Sequence, residues 1–540
     1  MYEKFLEENH ETPLQKRRFL ALLLVFLMLT ATLAATASCE SASPPVTTAG
    51  EETTAEPSHT ETTGEEETTR EETSGEETTA EPEPPPAEPL PDWAEEAENE
   101  DMFEGLPSGV LDGKTLTLLY WSDVEMHEFR CGEMGNEWID YKYFKVETQF
   151  GVNIEEVGIK GNHGQKEEFT EHVLNDRISG ARKYDLVATY SRTAGLCMIN
   201  GLLADLNRIE NSYIDLSRPW WPASIREDLT VDGSLYFLSG DISVNFVCML
   251  YGIFCNTELI EELGLDDPTE LLFSGAWTVE RMMELAEDAY RLMPQNAEAP
   301  FSGFVTDPLY AESFYHGADY RFAMPDDAEG LVISREYGGE AMQTYAKMLL
   351  DFLHSDAVTI GRSEAKFRDG KALFTQNRLY LGMRKMSEKP FEFTILPLPM
   401  YGETQDGYRT TVGNPVTLYG ILGDVEAEIQ TECSLLIECL AAGAYHMTTP
   451  LLFTQNYVVR EADEDYAEKV RAFEIIREGA VLDYGRILPN DVMEEYMSNS
   501  FVSMLEIGLS DPVVKGFQRE FYEARLRDAV ERIRAGFTAP

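Results

Sequence analysis

The chain has 540 residues, and its 97 Asp and Glu outnumber 43 Lys and Arg, which gives a formal net charge of −54. Nucleic-acid binding depends on clustered basic side chains, so this excess of acid excludes it. The length is sufficient for two domains of ordinary size.

The N-terminus has the pattern of a secretory signal. A basic cluster, 16–18, precedes an apolar run, 19–34. That run is shorter than the roughly 20 apolar residues of a membrane-spanning helix, and small residues follow it. We therefore expect 1–38 to be a signal peptide that is removed on export. No later apolar run is long enough to predict a spanning helix.

Cys39 directly follows Thr36, Ala37 and Ser38. Small–small–Cys resembles the lipobox of bacterial lipoproteins, although Thr36 stands where that motif usually has Leu. The resemblance implies that Cys39 carries a lipid, such as palmitate, and anchors the protein to the outer face of the cell membrane. The alternative is an ordinary cleaved signal with an incidental cysteine.

Residues 39–104 have a different composition from the rest of the chain. Thr, Glu and Pro recur in near-repeats such as GEETTAEP, at 50–57 and again at 75–82, and 22 acids stand against the single base Arg70 in 40–104. Low hydrophobicity and high like charge cannot offset the entropy lost on folding. We interpret the segment as a disordered acidic spacer.

The remaining cysteines and histidines predict no metal site. No cysteine pair has the CxxC spacing, and the eight histidines form no metal-spaced set. Cys248, Cys433 and Cys439 lie within apolar patterns, so we expect buried thiols and at most one disulfide. No cofactor is indicated either.

From about residue 110, strand and helix patterns alternate. Strands are predicted at 114–121, with Leu116, Leu118 and Tyr120 on one face, and at 152–157 and 184–190. The helices between them carry Ile139, Tyr143, Val146 and Phe150, then Phe169, Val173 and Arg177. This β-α-β-α-β order is typical of an open, mostly parallel sheet covered by helices.

The second half repeats the alternation. Thr278 can cap a helix whose apolar stripe runs from Val279 to Met293, and a second stripe runs from Met342 to Phe352. A strand is predicted at 391–399, and a buried helix around 435–440.

Several segments together resemble the family-1 extracellular solute-binding proteins, which serve carbohydrate importers. They are YDLVATYSRTAGLCMINGLLADLN (184–207), IDLSRPWW (214–221), GSLYFLSGDIS (233–243), LYGIFCNTELIEELGL (250–265), GAWTVERMMELAEDA (275–289), FRDGKALFTQNRLYLGMRKM (367–386) and FEFTILPLPMYGETQDGY (391–408). Residues 301–338 depart from the family pattern.

The resemblance implies a two-lobe α/β fold, the type II periplasmic-binding-protein fold. Each lobe would be a mostly parallel sheet flanked by helices, with a hinge between the lobes. We expect the first lobe at 105–243, the second at 244–410, and a return to the first lobe with closing helices at 411–540. The implied partners are a small polar solute, a mono- or oligosaccharide, and the permease of an ABC importer. A peptide or polyamine ligand stays open.

Catalytic motifs are absent from the sequence. It contains no HExxH, GxSxG or GxGxxG, and the GKT at 113–115 lacks the Gly that a phosphate-binding loop has at position 108. We therefore expect a binding protein, not an enzyme. The alternative is a surface enzyme or adhesin acting on polysaccharide, because a glycosidase acid pair cannot be selected among so many carboxylates. Stoichiometric solute binding without turnover would separate the two.

Candidate ligand-binding residues follow from the strand ends, because open α/β sheets bind ligands beyond the carboxyl ends of their strands. Aromatic rings pack on the apolar faces of sugars, and charged or amide groups bond the hydroxyls. The candidates are Trp121, Asp123, Tyr190, Arg192, Trp220, Trp221, Asp241 and Asn414.

Each of the weaker candidates has an alternative role. Trp220 and Trp221 would pack the edge of a lobe, Arg192 would pair with a surface acid, and Asn414 would belong to the hinge.

The predicted lipid anchor can be tested directly. Cys39→Ala removes the thiol that would be acylated, so we expect the variant to appear outside the membrane fraction and to take up no radioactive fatty acid. Labelling that persists in the variant would place the anchor elsewhere.

Overall fold

The computed structural model describes residues 102–130, 137–294, 300–361, 364–388, 390–460, 463–489 and 519–537. All of them belong to one compact unit, Pro86–Pro540. The predicted signal, Cys39 and almost all of the spacer lie outside the described residues.

The strands are β1 (Thr115–Trp121), β2 (Asn153–Ile159), β3 (Leu186–Tyr190), β4 (Tyr251–Asn256), β5 (Ser302–Thr306), β6 (Ala323–Asp326), β7 (Gly330–Ile333), β8 (Val358–Ile360), β9 (Ala372–Arg378), β10 (Phe393–Leu396), β11 (Thr410–Thr411), β12 (Thr417–Ile421) and β13 (Ala480–Val481).

The α-helices are α1 (Glu137–Phe150), α2 (Lys166–Ser179), α3 (Ser191–Ile199), α4 (Ala223–Leu229), α5 (Val244–Cys248), α6 (Thr257–Leu263), α7 (Pro268–Phe273), α8 (Val279–Leu292), α9 (Pro308–Ala311), α10 (Ser313–Gly317), α11 (Glu340–Leu353), α12 (Glu364–Arg368), α13 (Tyr380–Lys385), α14 (Ala427–Tyr457), α15 (Tyr466–Glu478), α16 (Tyr484–Ile487) and α17 (Arg519–Ala535).

The first lobe is built on a four-stranded sheet in the order β12-β3-β1-β2. The three predicted strands pair in parallel, and β12 adds to β3 in the antiparallel direction. Leu116 and Leu118, which were predicted to share one face of β1, are buried, and Leu119 and Trp121 on the other face are buried as well. Helices cover both faces of the sheet, as is usual for parallel strands.

The second lobe is built on a five-stranded sheet in the order β10-β4-β9-β5-β8. Strands β9, β5 and β8 are parallel, whereas β4 runs antiparallel to both β9 and β10. The predicted strand 391–399 is confirmed in part: β10 ends before Pro397, which has no N–H for the ladder. Thr278 caps α8 as predicted, accepting from the N–H of Arg281.

Extended segments connect the two lobes. Leu250 and Val412 form an antiparallel bridge, and the N–H of Gly413 donates to the carbonyl of Met249 at 2.9 Å. Beside them, β11 pairs in parallel with β13. These paired crossovers form the hinge.

Helix α14 has the length and hydropathy of a membrane span, with 31 residues. However, 78 % of its most apolar window is buried within the protein, which identifies a core helix. It packs against α1 of the first lobe and α13 of the second. The segment after 411 contributes β12 to the first sheet, but its helix α15 packs on β10 of the second sheet. The predicted lobe limits therefore stay a prediction.

The five cysteines among the described residues are free and buried. The predicted burial of Cys248, Cys433 and Cys439 is therefore confirmed, and burial raises the pKa of Cys248 to about 12. Cys131 lies outside the described residues.

The contact between α13 and α14 depends on a glycine. A Cβ atom at Gly382 would lie 1.6 Å from the carbonyl oxygen of Asn456, whereas one at Gly402 would meet nothing within 4 Å. We expect Gly382→Ala to lower the free energy of unfolding by about 3 kcal/mol, because overpacking forces the backbone apart. Gly402→Ala is the control and should leave it unchanged. Denaturant unfolding measures both, and equal stabilities would contradict the packing described.

Candidate functional site

A cavity of about 330 Å³ lies at the carboxyl ends of β5, β8 and β9, and the first lobe contributes Glu125 to its lining. It is lined by Glu125, Val305, Thr306, Asp307, Leu309, Tyr310, Gly361, Glu364, Thr375, Gln376, Asn377, Arg378 and Tyr380. Glu125 belongs to the loop that follows β1, so the cavity is bounded by both lobes. This is the position at which open α/β sheets bind ligands.

Arg378, the last residue of β9, is the central cation of the cavity. Its Nη1 donates to Glu125 Oε2 at 3.1 Å, and its Nε donates to the hydroxyl of Tyr251 at 3.3 Å. Burial lowers the pKa of Arg378, but Tyr251 and Glu125 outweigh it and raise the pKa above its usual range. The guanidinium therefore stays charged and joins the two lobes across the cleft.

Three tyrosines surround this guanidinium. The rings of Tyr251 and Tyr310 meet edge to face, with centroids 5.6 Å apart, and Tyr380 lines the same cavity. Burial and the neighbouring tyrosines raise the pKa of Tyr310 to about 12, so its hydroxyl is a neutral donor at physiological pH. Flat rings with polar tips suit a ligand that has both apolar faces and hydroxyls.

The remaining polar groups are largely engaged. Glu364 pairs with Lys385 at 3.1 Å, which together with other interactions lowers its pKa although burial alone would raise it. Thr306 donates to Gln376 at 2.6 Å, so the floor of the cavity is fixed by side-chain hydrogen bonds. Asp307 uses one carboxylate oxygen to cap α9 through the N–H of Leu309. The arrangement offers several donors and acceptors in a rigid frame.

The first-lobe candidates Trp121, Asp123 and Tyr190 lie together at the ends of β1 and β3. Trp121 is 1 % exposed, and its indole donates to Thr417 Oγ1 at 2.9 Å. Tyr190 is buried with its ring 5.5 Å from that of Trp121. Asp123 accepts from the N–H of Gly161 at 2.8 Å and fixes the loop after β2. None of the three residues lines the cavity described above, and their ligand role stays a prediction.

Arg192 and Asn414 lie at the same edge of the first sheet. Arg192 is buried in the first turn of α3. The carbonyl of Asn414 accepts from the hydroxyl of Ser191 at 2.8 Å, whereas its side-chain Oδ1 is buried without a hydrogen-bond partner. Asn414 follows the crossover Val412–Gly413 directly, which places it beside the hinge.

The structure separates Trp220, Trp221 and Asp241 from the others. Both indoles are buried and donate to Glu438, at 2.9 and 3.0 Å. Asp241 is fully buried and pairs with Arg477 at 3.2 Å. These contacts fix the edge of the first lobe to α14 and α15, and a second cavity of about 700 Å³ adjoins Trp221 and Arg477. A ligand role for the three residues stays a prediction.

Sequence reasoning missed the second-lobe wall, including Asp307, Tyr310 and Arg378. The usable signal was the same strand-end rule that selected the first-lobe candidates. Tyr310 follows β5 and Arg378 ends β9, so both stand at carboxyl ends of parallel strands. Within the described ranges, no group of three or more His, Cys, Asp or Glu side chains could hold a metal ion.

Two solved structures share this architecture. The cyclic alpha-maltosyl-1,6-maltose binding protein from Arthrobacter globiformis is 13 % identical, covers 77 % of this chain and 99 % of its own, and has a TM-score of 0.52. A sugar transporter from Rhizobium etli in an open conformation is 14 % identical, with coverages of 78 % and 99 % and a TM-score of 0.51. The sequence matches no protein-family model and no curated protein.

At these identities the similarity shows a shared fold. The predicted two-lobe, type II periplasmic-binding-protein fold is confirmed: each lobe is a sheet with parallel strands, flanked by helices, and the lobes join at a hinge.

The buried carboxyl group of Glu438 gives a pH-dependent prediction. Burial raises its pKa from an ordinary 4.5 to about 7, so the folded protein binds this proton more tightly than the unfolded chain. The protonated carboxyl group contributes at most about 3 kcal/mol to the free energy of unfolding. This contribution is complete below pH 4.5 and is lost as pH rises through 7. In Glu438→Gln the fall in Tm between pH 4.5 and 7.5 should be smaller than in the parent. Glu428→Gln, at an exposed site on the same helix, is the control. Equal slopes in all three proteins would contradict the assignment.

Proposed function

We propose that the protein is an extracytoplasmic solute-binding receptor that delivers a small saccharide to an ABC importer. The observation that carries the proposal is the cavity bounded by Glu125 of one lobe and Arg378 of the other, next to the paired crossovers. A ligand in this place touches both lobes, so its binding free energy favours the closed arrangement over the open one.

The chemistry of the cavity supports a saccharide. Tyr310 and Tyr380 offer ring faces and hydroxyls, Asp307 and Arg378 offer an acceptor and donors, and the volume of about 330 Å³ suits a small ligand. Two of the solved structures that share the fold are named as a cyclic alpha-maltosyl-1,6-maltose binding protein and a sugar transporter.

The proposed location rests on the N-terminal sequence. A removable signal, a lipid on Cys39 and an acidic spacer would hold the two lobes at the outer face of the membrane, near a permease. A flexible chain of this length has an end-to-end distance of roughly 45 Å, which leaves the lobes free to reach that partner. We propose a binding protein, not an enzyme, since solute transfer needs no chemical step.

The experiment is a thermal-shift screen of the full chain against mono- and oligosaccharides, followed by calorimetry with the best ligand. Tyr310→Ala removes an aromatic contact from the cavity, and we expect a loss of about 2 kcal/mol, which is roughly a thirtyfold rise in Kd.

Tyr141→Ala is the matched control, because Tyr141 is 50 % exposed on α1. It should bind with the parent's affinity. If no saccharide raises the Tm, or if Tyr310→Ala binds as tightly as the parent, the proposed ligand class or site is wrong.

A further inference from the structure

Residues 319–337, here called the arm, extend from the second lobe. They contain the antiparallel hairpin β6–β7, which is a sheet of its own. Both ends of the arm are fixed in the second lobe. Before it, Ser313 of α10 accepts from Gln376 of β9 at 2.8 Å, and after it, Tyr345 of α11 donates to the carbonyl of Phe314 at 3.0 Å.

The arm itself packs on the first lobe. Strand β6 contacts α4 and α16, and β7 contacts α17. Helix α17 belongs to the first lobe because it packs on α3, and Phe537 just beyond it lies 3.9 Å from the guanidinium of Arg177. A Cβ atom at Gly330 would approach Val530 of α17 to 2.9 Å, so the two surfaces are in close contact.

Buried charges fix the arm to the first lobe. Arg321 lies 3.6 Å from Asp228 of α4, with both side chains about 15 % exposed. At the base of the arm, Arg486 of α16 pairs with Glu312 at 2.7 Å, again with little exposure. Separation is costly because it leaves the buried carboxylates of Asp228 and Glu312 without their cations, although Arg321 keeps Asp319 of the arm at 3.1 Å.

Asp483 binds the base of the arm through hydrogen bonds. Its carboxylate accepts from the N–H groups of Phe322 at 2.6 Å and Ala323 at 3.1 Å. It also contacts the imidazole of His316 at 3.1 Å, and that ring contacts Thr411 of β11 at 2.7 Å. The start of the arm is therefore joined to the hinge itself.

The far end of the arm lies away from the hinge. Gly330 stands opposite Asp326 in the hairpin, and Asp326 is four residues beyond Phe322. A strand rises about 3.3 Å per residue, so the contact with α17 lies roughly 13 Å from Asp483. Contacts at a distance from a hinge resist its rotation more strongly than contacts on the hinge axis.

We infer that the arm is a tie between the lobes that limits how far the cleft opens. Rotation that widens the cleft must separate β6 and β7 from α4, α16 and α17, and must break the Arg321–Asp228 pair. The tie stabilises the arrangement in which Glu125 meets Arg378. Weakening it shifts the population toward an open state and lowers solute affinity in proportion to the closed population that is lost, without touching the solute.

The test measures lobe separation in the ligand-free full chain, so its outcome is independent of the proposed function. Spin labels on encoded non-natural residues at Lys160, after β2, and at Ile360, the end of β8, report the distance across the cleft by pulsed electron double resonance. We expect Arg321→Gln and Arg321→Gln/Asp228→Asn to raise the ratio of long to short distances about tenfold, which corresponds to about 1.4 kcal/mol.

Arg534→Gln is the control. It removes a shorter and more exposed Arg–Asp pair, to Asp232 at 2.6 Å, and both of its partners belong to the first lobe. Its distance distribution should equal the parent's. The double variant removes both charges and so avoids the unpaired Asp228 that could unfold the single variant. Distances equal to the parent's in a folded double variant, or an equal shift in the control, would overturn the inference.

Discussion

The buried carboxylate of Asp483 is the constraint on which the arrangement of the lobes depends. It accepts from His316, from two backbone N–H groups of the arm and from the N–H of Gly485 at 2.7 Å. Burial alone would raise the pKa of Asp483, but these donors outweigh burial and lower the pKa. Burial lowers the pKa of His316. Asp483 is therefore ionised beside a neutral imidazole, which suits a ring that donates to Asp483 and accepts from Thr411. An apolar residue here would leave several buried donors without partners.

The candidate site follows from this hinge. The crossovers hold the loop after β1 opposite the end of β9, so Glu125 reaches Arg378 although 253 residues separate them. In a chain with a net charge of −54, every buried cation has many carboxylates available to compensate its charge. Arg378 and Lys385 each find one acid at the cavity, Glu125 and Glu364 respectively. The cavity thus presents two paired charges, the carboxylate of Asp307 and tyrosine hydroxyls, which favours polar ligands.

Sequence patterns predicted the fold well because they report local geometry. The spacing of Ile139, Tyr143, Val146 and Phe150 predicted α1, and the first three strands were placed within two residues. The site was harder to predict, because residue type does not determine a side chain's partner. Trp121 and Trp220 have the chemistry of a sugar platform, yet their indoles bind Thr417 and Glu438, 296 and 218 residues away. Such long-range partners decide whether an aromatic ring is available to a ligand or is buried within the protein.

Two kinds of contact join the lobes, and they differ in strength. Glu125 is 47 % exposed, so its pair with Arg378 is screened and contributes about 0–1 kcal/mol. It can form and break as the cleft moves. The contacts of the arm are buried, so they change only when a whole surface separates. The segment 301–338, which departs from the pattern of the solute-binding family, contains this arm. Its sequence is constrained by α4, α16 and α17 of the first lobe as well as by the lobe from which it extends. A sequence pattern that reflects packing within the second lobe does not predict a segment whose contacts lie in the first lobe.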